Sequence, residues 1–334
     1  MKALILAAGL GTRLRPITHV IPKPLMPVFG VPIIEHNIIQ LRDQGIRQFL
    51  VNLHHMPRQM VQRLRDGSHL GVEIHYSLEP TILGTAGGIK KLESQLRGES
   101  FLVVNGDTFR HLDLERLWNA HRGMGHPLTM LVQSNPRLEP HKSVSVGPRG
   151  DVVAFLDMYG KHDEDGATRC DFLGVQVVEP EVLSMIPPDR PWELQRLYVR
   201  LLESGRGIGA HLEGGYWKDL GTLEAYREIH VDAMEGRAAV RIPGREVEPG
   251  VWMGEGVSLG RGVQLVPPLF LGPGARVDSG ATVGPHVVLG CGCSVGSKAR
   301  LERCIIWEDV QVSPGMHVRE EIVGKAFRHP LPWS

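Results

Sequence analysis

The sequence contains no apolar run near the ~20 residues that a helix needs to cross a bilayer. We therefore expect a soluble protein without membrane contact. The opening MKALILAAGL is weakly similar to a signal peptide, but the charged segment GTRLRP follows at once, without a spacer or cleavage region. We interpret it as a buried first strand and expect a cytoplasmic location.

Cysteine is scarce. The chain has 4 cysteines in 334 residues, Cys170, Cys291, Cys293 and Cys304. They are too few for a disulfide framework in a chain of this length, and their spacing lacks the paired C-x-x-C pattern of a structural zinc site. We interpret them as reduced packing residues, which agrees with a cytosolic protein.

An excess of charge of either sign is also absent. Lys plus Arg and Asp plus Glu each number 37, so the formal net charge is zero. Such a chain has no general field that attracts nucleic acid or acidic membranes, and neither is expected as a partner. Any anionic ligand must therefore be held by a local cluster of cations.

Glycine and proline, by contrast, are abundant. The 40 Gly and 24 Pro make 64 of 334 residues, about 19% against a usual ~12%. The excess is strongest after residue 236, which indicates two architectures. We predict one domain over residues 1–236 and a second over residues 237–334.

A six-residue period runs through the second domain. Large aliphatic residues share one slot, and small or aliphatic residues lie four positions after each. The first slot holds Met253, Leu259, Leu265, Leu271, Val277, Val283, Leu289, Val295 and Leu301, and the second runs from Val257 to Ile305. Eighteen residues then close one coil, and the register slips by one after Leu301. The pattern resembles the left-handed parallel β-helix of hexapeptide-repeat proteins, with three to four coils expected.

The first domain alternates strand and helix signals. Apolar runs predict buried strands at 3–7, 49–51, 101–104 and 128–132, and helical segments are expected at 32–44, 57–66, 85–97, 113–122 and 223–234. This order predicts an α/β fold with an open, doubly wound, mostly parallel sheet. Ligands of such sheets bind outside the carboxyl ends of the strands.

A glycine-rich turn follows the first strand in the segment LAAGLGTRLRP. Gly9 and Gly11 expose backbone N–H groups that can cradle phosphates, although the segment fits neither the G-x-G-x-x-G nor the Walker A motif. Arg13, Arg15 and Lys23 add three cations to this loop. Together these features predict a triphosphate site.

The sequence at this point resembles the sugar-1-phosphate nucleotidyltransferases, and the resemblance covers about residues 1–232. It is carried by the segments LAAGLGTRLRPITHVIPKPLMPVFGVPIIEH, EPTILGTAGGI, VVNGD, FLGVQVVEPEVL and YWKDLGT. With the β-helix tail, the chain is similar to mannose-1-phosphate guanylyltransferases. The resemblance implies an NTP and a sugar 1-phosphate as partners, with GTP and mannose 1-phosphate expected first.

Two other readings stay open. One is UTP or dTTP with glucose or N-acetylhexosamine 1-phosphate. The other is a non-catalytic regulatory subunit that binds an NDP-sugar. The exposed edges of a β-helix also predict a homo-oligomer formed through that domain.

The family's site residues transfer onto matching positions. Asp107 follows a buried strand at the expected ligand edge, where a carboxylate suits Mg²⁺, and the resemblance gives Asp219 the same metal role. It makes Arg13 and Lys23 the catalytic cations. It also implies nucleotide contacts from Leu6, Ala7, Ala8, Gly9, Gly11, Thr12, Glu79, Gly84 and Thr85, and sugar contacts from Asn105, Gly174 and Lys161.

The chain departs from the family pattern on the sugar side. Many members carry Glu-Lys-Pro where this sequence reads Asp157-Met158-Tyr159, so the lysine that grips the sugar phosphate is missing. Lys161 and Lys218 are candidates to replace it. The identity of the sugar therefore stays open, whereas the positions for the triphosphate and the metal match the family.

Overall fold

The structure is a computed structural model, and it describes residues 1–162 and 165–333. Ser334, the last residue of the predicted second domain, lies outside them. The helices are α1 (Ile33–Asp43), α2 (Pro57–Leu64), α3 (Gly84–Lys91), α4 (Glu93–Leu96), α5 (Leu114–Met124), α6 (Leu194–Glu203) and α7 (Leu223–Met234).

The strands before α7 are β1 (Ala3–Leu6), β2 (Pro27–Val28), β3 (Val31–Pro32), β4 (Gln48–Leu53), β5 (Glu73–Leu78), β6 (Phe101–Asn105), β7 (Thr108–Arg110), β8 (Leu128–Ser134), β9 (Val144–Val146), β10 (Val152–Phe155), β11 (Thr168–Val178), β12 (Gly209–Leu212) and β13 (Trp217–Asp219). Those after it are β14 (Arg245–Glu248), β15 (Val251–Met253), β16 (Ser258–Leu259), β17 (Gln264–Leu265), β18 (Leu269–Leu271), β19 (Arg276–Val277), β20 (Thr282–Val283), β21 (Val287–Leu289), β22 (Ser294–Val295), β23 (Arg300–Glu302), β24 (Cys304–Ile306), β25 (Gln311–Val312), β26 (His317–Arg319), β27 (Glu321–Gly324) and β28 (Phe327–Pro330).

The chain divides into two compact units. The first comprises residues 1–10 and 34–217, and the second comprises residues 11–33 and 218–334. Each is described separately below. The predicted domain boundary after residue 236 stays a prediction.

The first unit is built on one mixed sheet. Its strand order is β10-β9-β11-β6-β1-β4-β5, and β8 pairs with both β11 and β12. The central pairs β6-β1, β1-β4 and β4-β5 are parallel, whereas β11 runs antiparallel to β6, β8 and β9. Ile89 of α3 and Leu197 of α6 belong to the same buried cluster as Val103 and Met130 of the sheet.

The predicted strands and helices of residues 1–236 are present, except that the segment predicted as one helix at 85–97 forms two, α3 and α4, with a break at Leu92. Asp113 caps α5, since its carboxylate accepts from the Arg116 N–H at 3.0 Å, and Thr222 caps α7 in the same way. Strand β5 was not predicted, because it lies at the edge of the sheet order and alternates buried and exposed residues instead of forming an apolar run. Helix α6 was also not predicted.

The second unit contains a β-helix. Three parallel sheets run through it: β15-β18-β21-β24-β27, β16-β19-β22-β25 and β17-β20-β23-β26. Paired residues lie eighteen apart, as in Val251 with Leu269 and Leu269 with Val287. The strands make four coils in the described part of this region, which agrees with the expected three to four. The handedness of the coils stays a prediction.

The one-residue slip is also present. Val287 pairs with Cys304, and Leu301 pairs with Val318, so the later coil contains seventeen residues. Because one residue is lost, Cys304 takes the core position that the repeat assigns to Ile305. Leu259 departs from the pattern as well, since it is 44% exposed.

Segment 11–33 belongs to this second unit and contacts both α7 and the β-helix. The Tyr226 hydroxyl donates to the Pro27 carbonyl and accepts from the Trp307 indole N–H at 3.1 Å. Phe29 packs edge-on against His230 and Phe270. These contacts fix the end of the loop that begins at Gly11.

The cysteines give a direct test of the packing. Cys291 is exposed, whereas Cys170, Cys293 and Cys304 are buried. Burial raises the pKa of Cys170 and Cys293 to about 11 and also raises the pKa of Cys304. Since the thiolate is the reactive form, we expect a disulfide reagent at neutral pH to titrate one thiol rapidly in the native protein and four after denaturation. Two or more rapid thiols in the native protein would contradict the packing.

Among the described residues, no helix combines the length and the apolar character that crossing a membrane requires.

Candidate active site

The carboxyl ends of three parallel strands form the floor of the candidate site in the first unit. Leu6 of β1 lies level with Asn52 of β4 and Asn105 of β6. The next residue after Asn105 lies close to β1, because the Gly106 N–H donates to the Leu6 carbonyl at 3.1 Å. A Cβ on Gly106 would lie 2.9 Å from that carbonyl oxygen, so only glycine fits. This turn presents Asp107 at the sheet edge.

A buried polar network joins the first loop to the loop at residues 83–88. The Ala7 N–H donates to Asn52 Oδ1 at 2.8 Å, and Asn52 Nδ2 donates to Glu79 Oε1 at 2.8 Å. The Leu83 N–H donates to the other carboxylate oxygen of Glu79 at 3.0 Å. Asn52 and Glu79 are 2% and 1% exposed. Sequence reasoning missed Asn52, although a polar residue inside the apolar strand QFLVNL is a signal that could have identified it.

This network changes what Glu79 can do. Both of its carboxylate oxygens accept from protein donors, and the backbone of Gly88 leaves it no spare room, since a Cβ there would lie 2.6 Å from Glu79 Oε1. Because only 1% of Glu79 is exposed, a direct contact between its carboxylate and a nucleotide base would require the loop to move, and that contact stays a prediction. The arrangement supports a different role, in which Glu79 holds the loop that contains Gly84 and Thr85.

Gly84 and Thr85 lie at the start of α3, against the segment that contains Trp192 and Glu193. The Thr85 hydroxyl donates to Glu193 Oε2 at 2.9 Å, and the Ala86 N–H donates to the Trp192 carbonyl at 2.9 Å. Sequence reasoning missed Trp192 and Glu193. No sequence motif marks them, because the contact joins segments that are distant along the chain.

The predicted sugar-side residues are brought together only in part. Gly174 has φ +74° at an irregularity in β11, and a Cβ on it would lie 3.0 Å from the Asn105 side chain. Asn105 and Gly174 are therefore neighbours. Lys161 is exposed and lies between β10 and β11 along the chain.

The second unit brings together the predicted catalytic cations and one predicted metal ligand. The Lys23 ammonium lies 3.4 Å from Asp219 Oδ1, and Arg13 Nη2 lies 3.6 Å from Asp219 Oδ2. The Lys23 side chain is 8% exposed, whereas those of Arg13 and Asp219 are 65% and 39% exposed. A partly exposed carboxylate thus lies beside two cationic side chains. Such a cluster is suited to an anionic ligand that binds together with a metal ion.

Two glycines of the second unit make room for this cluster. A Cβ on Gly221 would lie 2.6 Å from the Arg13 guanidinium. Gly11 has φ +61°, and a Cβ on it would lie 2.9 Å from the Thr18 side chain. The turn at Gly11 starts the short 3-10 helix Thr12–Leu14, which carries Arg13. Gly9, by contrast, lies in the first unit, and a Cβ there would meet no atom within 4 Å. The fold itself therefore does not require glycine at position 9.

Lys218, one candidate for the missing sugar-phosphate lysine, lies on β13 and pairs with two carboxylates of α7. Its ammonium lies 2.7 Å from Glu228 Oε2 and 3.1 Å from Asp232 Oδ2. The same carboxylates pair with Arg227 and Arg237, so Lys218 would have to leave this ion-pair cluster to contact a phosphate. Lys161 stays a prediction for that role.

Arg110 was not expected from the sequence. It lies on β7 just after Asp107 and is 5% exposed. Its Nη1 donates to the Thr108 carbonyl and hydroxyl at 3.0 and 2.9 Å. Burial lowers the pKa of Arg110 to about 10, and the Asp107 carboxylate opposes this shift. A buried guanidinium thus contributes positive potential close to Asp107.

Each predicted metal ligand is a carboxylate, Asp107 in the first unit and Asp219 in the second. Carboxylate oxygens are the protein ligands that Mg²⁺ prefers, and Mg²⁺ usually completes its shell with waters and phosphate oxygens. No group of three or more potential metal-ligating side chains occurs among the described residues.

Comparison with known proteins identifies the family to which this chain is similar. The Nucleotidyl transferase family matches residues 2–236, and the GMPPB C-terminal domain family matches residues 265–328. A UTP--glucose-1-phosphate uridylyltransferase from Synechocystis sp. is 34% identical over 273 residues, which are 77% of this chain and 70% of that protein. A mannose-1-phosphate guanylyltransferase from Mycobacterium tuberculosis is 31% identical over 280 residues, 80% of this chain and 77% of that protein.

A solved structure shares the fold. HddC from Yersinia pseudotuberculosis, crystallised in complex with GMP-PN, aligns with a TM-score of 0.58 at 22% identity over 70% of this chain and 99% of that one. The family match and the two relatives define the chain as a nucleotidyltransferase with an α/β sheet. The chain belongs to the nucleotidyl transferase family, and within it to the sugar-1-phosphate nucleotidyltransferases.

Proposed function

We propose that this enzyme transfers a guanylyl group from GTP to mannose 1-phosphate, giving GDP-mannose and pyrophosphate. The observation that carries the reaction is the cluster of Arg13, Lys23 and Asp219 in the second unit. The choice of substrates is supported by the GMPPB C-terminal domain match and by the guanylyltransferase relative. The uridylyltransferase relative supports the alternative of UTP or dTTP with glucose or N-acetylhexosamine 1-phosphate.

In the proposed reaction an oxygen of the sugar phosphate attacks the α-phosphorus of the NTP in line, and pyrophosphate leaves. The reaction needs no covalent enzyme nucleophile, so the side chains position the substrates and neutralise charge. Lys23 neutralises the α-phosphate and the incoming sugar phosphate. Arg13 neutralises the β- and γ-phosphates that become pyrophosphate.

The remaining predicted residues bind and orient the substrates. The backbone of Leu6 to Gly9, with Gly11 and Thr12, contacts the nucleotide phosphates, and loop 83–88 receives the base and ribose. Asn105 and Gly174 contact the sugar. Asp107 and Asp219 would each offer a carboxylate oxygen to Mg²⁺, which when bound would neutralise charge on the phosphates.

A substrate panel tests this function. The full-length protein is incubated with Mg²⁺ and every pair of GTP, UTP, dTTP, ATP and CTP with mannose, glucose and N-acetylhexosamine 1-phosphates, and pyrophosphate release is followed. We expect the largest kcat/KM for GTP with mannose 1-phosphate, exceeding other pairs by about 10²-fold or more, since specificity resides in transition-state binding.

The other outcomes discriminate between the alternatives. A maximum with UTP or dTTP and glucose or N-acetylhexosamine 1-phosphate would overturn the substrate assignment and keep the reaction class. Release from no pair, together with tight binding of an NDP-sugar, would instead favour the non-catalytic regulatory subunit. Self-association through the β-helix stays a prediction, which sedimentation of the full chain would test.

A further inference from the structure

Helices α3 and α6 of the first unit begin next to each other, and each start supplies a hydrogen-bond acceptor to the other. The Leu194 N–H, at the start of α6, donates to Thr85 Oγ1 at 2.8 Å. The Thr85 hydroxyl, at the start of α3, donates to Glu193 Oε2 at 2.9 Å. The hydroxyl therefore uses its donor and an acceptor site at once. Neither helix is capped by a side chain of its own N-cap residue.

Backbone hydrogen bonds reinforce this contact. The Ala86 and Gly87 N–H groups donate to the Trp192 carbonyl at 2.9 and 3.0 Å, and the Trp192 N–H donates to the Leu83 carbonyl at 2.8 Å. The Thr85 N–H donates to Glu193 Oε2 at 3.3 Å. Amides of the first turn of α3, which lack partners within their helix, are thus satisfied by residues 192 and 193. The Glu193 carboxylate also lies at the positive end of the α3 dipole.

The same segment closes one side of Gly84. This residue has φ +68°, and a Cβ on it would lie 2.6 Å from Glu193 Oε1 and 2.8 Å from the Trp192 carbonyl oxygen. Glu193 is itself exposed. An exposed residue thus contacts the loop at both Gly84 and Thr85.

We propose that Glu193 is a positioning residue for the nucleotide, acting through Thr85 to hold loop 83–88 in its binding conformation. The inference rests on the proposed function, in which this loop receives the base and ribose. When the Glu193 contact is lost, the loop populates other conformations, and the apparent nucleotide affinity falls with the fraction that stays competent. Arg13 and Lys23, proposed for the chemistry, and Asn105 and Gly174, proposed for the sugar, belong to other segments of the chain, so we expect their contribution to stay unchanged.

Glu193→Ala, Thr85→Val and the double variant test this role. We expect each single change to raise the KM and the calorimetric Kd for the NTP about tenfold, because a hydrogen bond to a charged group is lost. The double variant should be less impaired than the sum of the two single changes, since either change removes the hydrogen bond between the Thr85 hydroxyl and Glu193. The kcat and the KM for the sugar 1-phosphate should stay within about twofold. Glu193→Gln, which keeps one acceptor oxygen, should recover part of the affinity.

Asp113→Ala is the matched control. The Asp113 carboxylate caps α5 at a distance from this loop in sequence, and its side chain is 39% exposed. This change should lower the melting temperature by a few degrees, as a lost helix cap does, without altering the KM for the NTP.

Three results would overturn the inference: an unchanged nucleotide KM and Kd in Glu193→Ala, an additive double variant, or an equal rise in the KM for the sugar 1-phosphate. Failure of the proposed function is distinguishable, because it would appear in the unaltered protein as no turnover with any pair. Calorimetry of nucleotide binding would then still test Glu193. Unaltered protein that binds no nucleotide would overturn both proposals.

Discussion

Asp219→Asn is expected to lower kcat by about 10³-fold while the protein stays folded. The carboxylate lies between the Lys23 ammonium and the Arg13 guanidinium, and it is a proposed ligand of Mg²⁺. An asparagine keeps the shape but loses the charge, so the metal and both cations lose their common anionic partner. The negative charge of the transition state is then less well stabilised. A loss of about 10³-fold in kcat is typical when a preorganised electrostatic group is removed. Pyrophosphate release at saturating substrate, with Mg²⁺ varied, measures the effect.

Two comparisons make this result interpretable. Glu228→Gln removes a carboxylate of α7 that pairs with Lys218, and its kcat should stay within about twofold of the unaltered enzyme. Asp107→Asn combined with Asp219→Asn should reduce turnover at least as far as either change alone. If the folded double variant turned over within tenfold of the unaltered enzyme, the metal assignment would be wrong.

Lys23→Met is expected to lower kcat by about 10²–10³-fold, with a smaller effect on the KM values. The ammonium is nearly buried, with 8% of the side chain exposed, and its position is fixed by the short helix Lys23–Leu25 after Pro22. A methionine has similar length and no charge. Because the charge to be neutralised grows in the transition state, the loss falls mainly on kcat.

The folding of the Lys23 variant is checked separately. Its melting temperature should remain close to that of the unaltered enzyme, since a nearly buried ammonium is replaced by an apolar group of similar volume. An unchanged kcat in this variant would remove Lys23 from the proposed mechanism.

Much of the fold could be predicted from the sequence, because it depends on local patterns. The apolar runs at 3–7 and 101–104 predict central strands, which need no distant information to be buried. The coil length of the β-helix follows from the spacing of Leu271, Leu289 and their neighbours, since each coil buries the same slot. Strand β5 was missed because it lacks an apolar run, and helix α6 was missed although its apolar residues, such as Leu194, Leu197 and Leu201, recur at helical spacing.

The candidate site divides in the same way. The sequence by itself determined the residue types, namely the loop with Gly11 and Arg13, Lys23 between two prolines, and the carboxylates Asp107 and Asp219. Only the tertiary structure decided that Asp219 lies between Arg13 and Lys23, that Lys218 pairs with carboxylates of α7, and that Glu79 is buried.

The physical reason is that contacts between distant segments leave no local mark. Trp192 and Glu193 hold the loop at Thr85 through hydrogen bonds that form only after both segments are packed. The period of a repeat or the apolarity of a strand can be recognised in the sequence, because each residue of the pattern makes the same kind of contact. A partner for one hydroxyl or one carboxylate is set by the fold as a whole.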